Sequence, residues 1–228
     1  MNPYVSTCCL RPYFPNAPSG KQGRHIGTGF LVASRIILTA AHNIIDPIYG
    51  EAARIRVRIG GDWITFSENS ETRPFWVSDE WWNLSKKKRL TRQFYSDDYG
   101  FIKLPKHMRY GDRLGVFRMD ASKPVRVPKV TVSGFPHSNE ILWKDSGNVL
   151  SNPVDPMKYD SEHAVIYDVD TSGGVSGGPI FFQEAGTLDC FVVGIHTASW
   201  GSTQAIGVKV TSQIRKLISD FHMLFNRE

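Results

Sequence analysis

Short apolar runs, most of them bounded by Gly, Pro, Asn, Asp or Ser, recur along the chain. Residues 53–59 alternate strictly as Ala-Arg-Ile-Arg-Val-Arg-Ile, which predicts a strand with one apolar and one basic face. Residues 26–38 are dense in Ile, Leu, Val and Phe. Further strands are expected over 63–66, 99–104, 129–133, 164–169, 179–182, 191–195 and 205–210. Many short strands separated by turn residues imply all-β barrels or sandwiches rather than βαβ units. Helical spacing is clear only at the end, where Thr211 or Ser212 can cap a run carrying Ile214, Leu217, Ile218 and Phe221. Such an amphipathic helix would lay its apolar stripe on a barrel. The polar stretch 110–128, with Pro124 and Pro128, reads as a connection, and no internal repeat is visible.

Composition narrows the class. Over 228 residues, 41% are hydrophobic and 21% charged, so the chain can bury a core and is neither disordered nor fibrous. No apolar run approaches the roughly 18 residues that a membrane-spanning helix needs. The net charge of +5 is mildly basic. Its densest run, Lys86-Lys87-Lys88-Arg89 followed by Arg92, reads as a solvated loop and argues only weakly for a nucleic-acid partner. Trp81 and Trp82, just before it, read as core or loop-anchoring side chains rather than stacking platforms. Cys8, Cys9 and Cys190 have neither disulfide-framework nor metal-ligand spacing. The start, Met1-Asn2-Pro3-Tyr4-Val5, has neither a basic nor an apolar run. No signal peptide is therefore read in this chain, which favours the cytoplasm over a secreted mature form.

Three segments carry chemistry. In Gly173-Gly174-Val175-Ser176-Gly177-Gly178-Pro179, glycines flank a serine, leave its hydroxyl unhindered and let successive N–H groups converge on one point. A serine hydroxyl needs a base, and that base needs an orienting group. Ile36-Ile37-Leu38-Thr39-Ala40-Ala41-His42 runs a strand into a histidine. Asp97-Asp98-Tyr99-Gly100-Phe101-Ile102 opens an apolar strand with an aspartate. Each could instead be a structural turn residue; the order His, Asp, Ser at three strand margins is what favours catalysis.

These motifs resemble those of the trypsin/chymotrypsin superfamily of serine proteases, and within it the glutamyl endopeptidase branch typified by the staphylococcal enzyme. Thr39-Ala40-Ala41-His42, Asp98-Tyr99-Gly100, Val132-Ser133-Gly134-Phe135-Pro136, the segment around Ser176, and Gly194-Ile195-His196-Thr197 carry the likeness. It implies an all-β, chymotrypsin-like fold of two packed six-stranded antiparallel β-barrels with a C-terminal α-helix. The expected division is an N-terminal segment (1–25), a first barrel (26–115), a linker (116–128), a second barrel (129–210) and a helix (211–228).

The resemblance also implies a serine endopeptidase acting on polypeptide, with His42, Asp98 and Ser176 catalytic and Asp97 the second choice for the acid. The N–H groups of Gly174 and Ser176 would form the oxyanion hole, with no cofactor and no metal. Thr171 and His196 would take an acidic substrate side chain, whereas Asp170, six residues before Ser176, would select Arg or Lys; the acidic preference is favoured. Trypsin-like enzymes place an activating aspartate where this chain has Val175, so that lock is not expected. The alternatives are a protease-like binding module without activity and a nucleic-acid binder; the oligomeric state is unassigned.

Overall fold

The structure is a computed structural model describing residues 2–22, 25–67, 74–87, 96–119, 129–136, 141–150, 163–200 and 203–226. Nine strands precede residue 104: β1 (Thr7–Tyr13), β2 (Gly27–Ala33), β3 (Ile36–Thr39), β4 (Ile45–Asp46), β5 (Gly50–Glu51), β6 (Arg54–Ile59), β7 (Asp62–Ser67), β8 (Phe75–Val77) and β9 (Gly100–Lys103). Seven of them form a curled antiparallel sheet in the order β7-β6-β1-β2-β3-β9-β8, and β4 and β5 form a separate ribbon. The second curled sheet holds β10 (Lys129–Gly134), β11 (Trp143–Asn148), β12 (Ala164–Tyr167), β13 (Pro179–Gln183), β14 (Cys190–Trp200) and β15 (Gln204–Lys209). Its order is β11-β10-β13-β14-β15-β12. The two-layered all-β expectation holds, with one more strand than expected in the first sheet.

The alternation over 54–59 behaves as its period dictates: Ile55, Val57 and Ile59 are buried while Arg54 and Arg56 face water. Two differences have clear physical reasons. The sequence places the first strand at residue 26, whereas β1 is a central strand between β2 and β6. Cys8, Cys9 and Leu10 are all fully buried, so β1 lacks the alternation that marks a half-exposed strand. Its cysteines act as small apolar core residues, and all three cysteines are free. The stretch before residue 98 also holds an unexpected helix, α1 (Asp79–Lys87), opened by Asp79 and Glu80 where acidic side chains suit a helix N-terminus. Trp81 is core, as read from the sequence. Lys86 and Lys87 end this helix, while Lys88, Arg89 and Arg92 lie outside the described residues.

A short helix, α2 (Tyr110–Leu114), begins the expected connection, whose residues 120–128 lie outside the described residues. Helix α3 (Ser212–Asn226) is the terminal helix expected from the pattern. It buries Ile214 and Ile218, and its Phe221 ring lies 5.5 Å from both Trp76 and Phe101. One apolar cluster fills each sheet. A third, built from Phe30, Leu38, Phe117, Phe181, Val192 and Ile218 among others, joins first sheet, second sheet and α3. That shared cluster fixes one sheet against the other, and the functional candidates lie along the same junction. Among the described residues no helix is long and apolar enough to cross a membrane.

Candidate active site

Strand register brings His42 and Asp98 together across 56 residues of chain. Antiparallel pairing sets Thr39 of β3 opposite Gly100 of β9, so the residues just after one and just before the other meet at the sheet margin. Ala40 and Ala41 are fully buried, and their small side chains let the short turn Ala41–Asn43 pack closely. The Asp98 carboxylate then holds His42 twice: Oδ1 accepts from the His42 backbone N–H at 2.9 Å, and Oδ2 lies 2.6 Å from Nδ1. The Asp98 side chain is 3% exposed and that of His42 is 25% exposed, so the acid is enclosed while the imidazole reaches the cleft. Burial disfavours the charged ring, but the charge and hydrogen bond of Asp98 outweigh it and raise the His42 pKa above its ordinary 6.5. Trp81 of α1 stands behind, its indole N–H bonded to Ile45 O at 3.0 Å and its ring centroid 6.5 Å from His42. Asp97, the second choice, instead accepts from Ser96 Oγ at 3.2 Å, and its backbone carbonyl accepts from Ser78.

The Ser176 turn belongs to the second sheet but is tied to the first. Thr28 of β2 donates its backbone N–H to Ser176 O at 2.8 Å, and Asn43 Nδ2 donates to the same oxygen at 2.9 Å. The Thr28 hydroxyl donates to Gly174 O at 2.8 Å and accepts the Phe135 N–H at 2.9 Å. On the other side Gly177 N–H bonds His196 O at 2.7 Å, and His196 N–H bonds Gly178 O at 2.8 Å. Gly174 and Gly177 have φ of 98° and 88°, the left-handed region that glycine tolerates. Val175 is fully buried in the second sheet's cluster, so apolar packing, not an ion pair, anchors the residue before Ser176. Gly27 is equally constrained: a Cβ there would lie 2.3 Å from Asn43 Oδ1. The Ser176 hydroxyl rests on Thr197 O at 3.2 Å.

This arrangement makes Thr28 a testable clamp. Thr28→Val keeps the shape and removes the hydroxyl that holds Gly174 O and Phe135 N. It should lower stability by about 1–3 kcal/mol, while Thr28→Ser restores most of it. Equal unfolding midpoints for the Val and wild-type chains would remove the clamp role.

The other sequence candidates separate. Thr171 is nearly buried, and its hydroxyl lies 2.7 Å from Ser199 Oγ, which in turn donates to Thr171 O at 3.1 Å. His196, 1% exposed on β14, has Nδ1 2.6 Å from Tyr167 Oη. Burial, followed by the nearby His42 charge, lowers the His196 pKa to about 3, so this ring is neutral. Burial pushes the Tyr167 phenol well up, so it keeps its proton and is able to donate to Nδ1; in that arrangement the imidazole proton sits on Nε2. Asp170 is exposed. Sequence reading missed Thr28 and Asn43 as site residues, whereas Tyr167 opens the serine motif and Ser199-Trp200-Gly201 resembles the strand lining a trypsin-like pocket. Of the missed pair, only Asn43, next to the histidine, had a positional signal.

Two curled antiparallel sheets with this connectivity and a terminal helix define a chymotrypsin-like serine protease fold. Three solved structures share it: a Glu endopeptidase in complex with MPD (TM-score 0.70, 20% identity, covering 96% of this chain and 91% of that one), the protease Anisep from Arthrobacter nicotinovorans (0.69, 15%, 95% and 94%), and the thermostable serine protease AL20 from an extremophilic microorganism (0.69, 17%, 93% and 94%). The family model described as Trypsin matches residues 14–218, and the chain belongs to the trypsin family. Among curated proteins it is 26% identical over 217 residues to a protein named extracellular metalloprotease of Bacillus subtilis (strain 168), covering 93% of this chain. It is 25% identical over 197 residues to a glutamyl endopeptidase of Bacillus licheniformis, covering 82%. The chain spans 62% and 56% of the lengths of these two relatives. Among the described residues no cluster of His, Cys, Asp and Glu could hold a metal ion.

Proposed function

We propose that the chain is a serine endopeptidase that cuts polypeptide after an acidic residue. The observation that carries the reading is the His42–Asp98 pair, closed at 2.6 Å, beside a serine turn that the same sheet holds through Thr28 and Asn43. Rotation about the Ser176 Cα–Cβ bond would exchange Thr197 O for Nε2 of His42, which has no hydrogen-bond partner among the described residues; catalytic hydrogen bonds are often long or unmade in resting sites. Ser176 Oγ then attacks the scissile carbonyl as His42 takes its proton. Asp98 fixes the proton on Nδ1 and stabilises the imidazolium that forms. The developing oxyanion sits against the N–H groups of Gly174 and Ser176, neither of which has an acceptor among the described residues. His42 returns its proton to the leaving amine, and water releases the acyl group by the same path reversed.

Specificity follows from the residues beside the serine. The Nε2–H of neutral His196 is a donor suited to a carboxylate, and the Thr171 hydroxyl joins it by turning away from Ser199 Oγ, while the Ser199 hydroxyl stays on Thr171 O. The exposed Asp170 is badly placed to select a buried Arg or Lys.

The deciding experiment maps cleavage sites by mass spectrometry in a denatured protein mixture, with Ser176→Ala as the control. Cuts after Glu or Asp, lost in the variant, are expected. Cuts after Arg or Lys would keep the serine mechanism and reject this pocket. No cuts, together with no reaction of Ser176 with a fluorophosphonate, would reject the enzyme.

A further inference from the structure

The outer face of the first sheet carries charge that the proposed chemistry does not use. Register places Arg58 opposite Cys9, Arg56 opposite Arg11 and Arg54 opposite Tyr13 across the β1–β6 pair. Across β6–β7, Arg58 stands opposite Trp63 and Arg56 opposite Thr65. Directly opposed residues share a face, so four arginines line one surface. Arg11 and Arg56 are like charges at a paired position, an arrangement that costs stability on an isolated sheet. The Trp63 ring gathers three of the guanidinium groups, from Arg56 at 4.7 Å, Arg58 at 5.5 Å and Arg11 at 5.6 Å. Arg54 lies 4.6 Å over Tyr13. Stacking on aromatic rings holds these planar forks in fixed orientations, and at the exposed Arg54 and Arg56 it leaves N–H edges available to a carboxylate. Arg54 and Arg56 are exposed and form no ion pair among the described residues.

Buried residues link this face to the serine turn. Cys9, opposite Arg58, is itself opposite Thr28, whose N–H holds Ser176 O. Two strand spacings of about 4.8 Å therefore separate Arg58 from Thr28. Arg58 also lies 5.3 Å over Phe135, whose N–H bonds the Thr28 hydroxyl. From there Arg58, Arg56 and Arg54 extend along β6 for about 13 Å, at roughly 3.3 Å per residue.

We propose that the Arg54–Arg56–Arg58–Arg11 face is an exosite that binds an acidic stretch of the polypeptide substrate lying outside the residues at the scissile bond. This rests on the hydrolase reading for the word substrate, but the binding itself can be read without turnover. Polypeptide is favoured over nucleic acid because the proposed reaction itself brings polypeptide to this chain. Arginine forks match carboxylates in pairs of parallel hydrogen bonds.

The test uses the full chain carrying Ser176→Ala and two fluorescein-labelled 12-residue peptides, one of Glu, Asp, Ser and Gly, the other with Gln and Asn in place of the acids. Fluorescence anisotropy at 50 mM salt should show the acidic peptide binding about tenfold tighter than the neutral one, an advantage that shrinks at 500 mM. Adding Arg54→Gln and Arg56→Gln should remove about fivefold to tenfold of it and leave the neutral peptide unchanged. In the chain that keeps Ser176, the same two substitutions should leave the fluorophosphonate labelling rate unaltered, which also shows that they fold. Equal affinity for both peptides, or an advantage that survives in the arginine variant, would overturn the exosite. So would tighter, Arg54- and Arg56-dependent binding of single-stranded oligothymidylate than of the acidic peptide. Failure of the unsubstituted chain to label at Ser176 would overturn the hydrolase reading and the substrate role with it, whatever the anisotropy gave.

Discussion

Asp98→Asn is expected to lower kcat about 10⁴-fold with KM nearly unchanged and the fold intact. Both carboxylate oxygens are committed, Oδ1 to the His42 backbone N–H and Oδ2 to the ring Nδ1. An asparagine can keep the first with its carbonyl, but its NH₂ then meets Nδ1. The ring must answer with the other tautomer, proton on Nε2, where it cannot accept from Ser176. Ser176→Ala should cost more, about 10⁶-fold, because nucleophile and base act as one unit. The pH profile separates this explanation from a packing defect. His42 has a raised pKa, so the neutral base is populated only above that value. The acid limb of kcat/KM should then lie above 6.5, with activity lost as pH falls through it. Without the aspartate charge the limb should move to lower pH. For stability the sign reverses: a histidine with a raised folded pKa adds stability below its unfolded value near 6.5, and this is lost as pH rises through the folded one. A residual kcat within tenfold of wild type, or an unmoved limb, would reject Asp98 as the orienting acid.

The second large effect is expected at Gly177→Ala. This residue has φ of 88°, and a Cβ would stand 2.1 Å from Thr28 O and 2.3 Å from Thr39 Oγ1. The left-handed backbone alone costs a side chain about 1–2 kcal/mol. The nearest obstacle is backbone of the opposite sheet, which cannot swing aside as a flexible side chain would. Relief requires the two sheets to part where Thr28 and Asn43 grip Ser176 O. A loss of about 3 kcal/mol or more is therefore expected, lowering Tm by about 10 °C. The reaction of Ser176 with a fluorophosphonate should fall together with it, since the same movement displaces the nucleophile. Calorimetry and labelling on one preparation measure both. A Tm within 2 °C of wild type with normal labelling would show that the turn can relax in a way this packing does not allow.

The amino-acid sequence by itself determined the elements whose signal is local. The alternation over 54–59, the short apolar runs and the amphipathic spacing from Ile214 to Phe221 all folded as their periods dictate. His42, Asp98 and Ser176 stood out as candidates because each sits at a strand margin, His42 behind two alanines, Ser176 among glycines and Asp98 at the head of an apolar strand. Tertiary structure decided what depends on partners far along the chain. β1 hid from the pattern because burial on both faces erases alternation, and its neighbours β2 and β6 come from other segments. Edge strand β11, Trp143–Asn148, hid for the opposite reason: it is mostly polar, and backbone pairing to β10 holds it where side-chain pattern says nothing. Thr171 and Ser199, 28 residues apart, became one hydrogen-bonded pair only when β14 was laid beside the serine turn. Asp170 and Thr171 are adjacent in sequence, yet one is exposed and the other buried, because chain direction at that point, set by the second sheet, chooses which side chain enters the site. Likewise a run of arginines on β6 is only a basic strand until β1 and β7 bring Arg11 and Trp63 to the same face. Local chemistry specifies which residues can act; only pairing across distant chain segments specifies which of them act together.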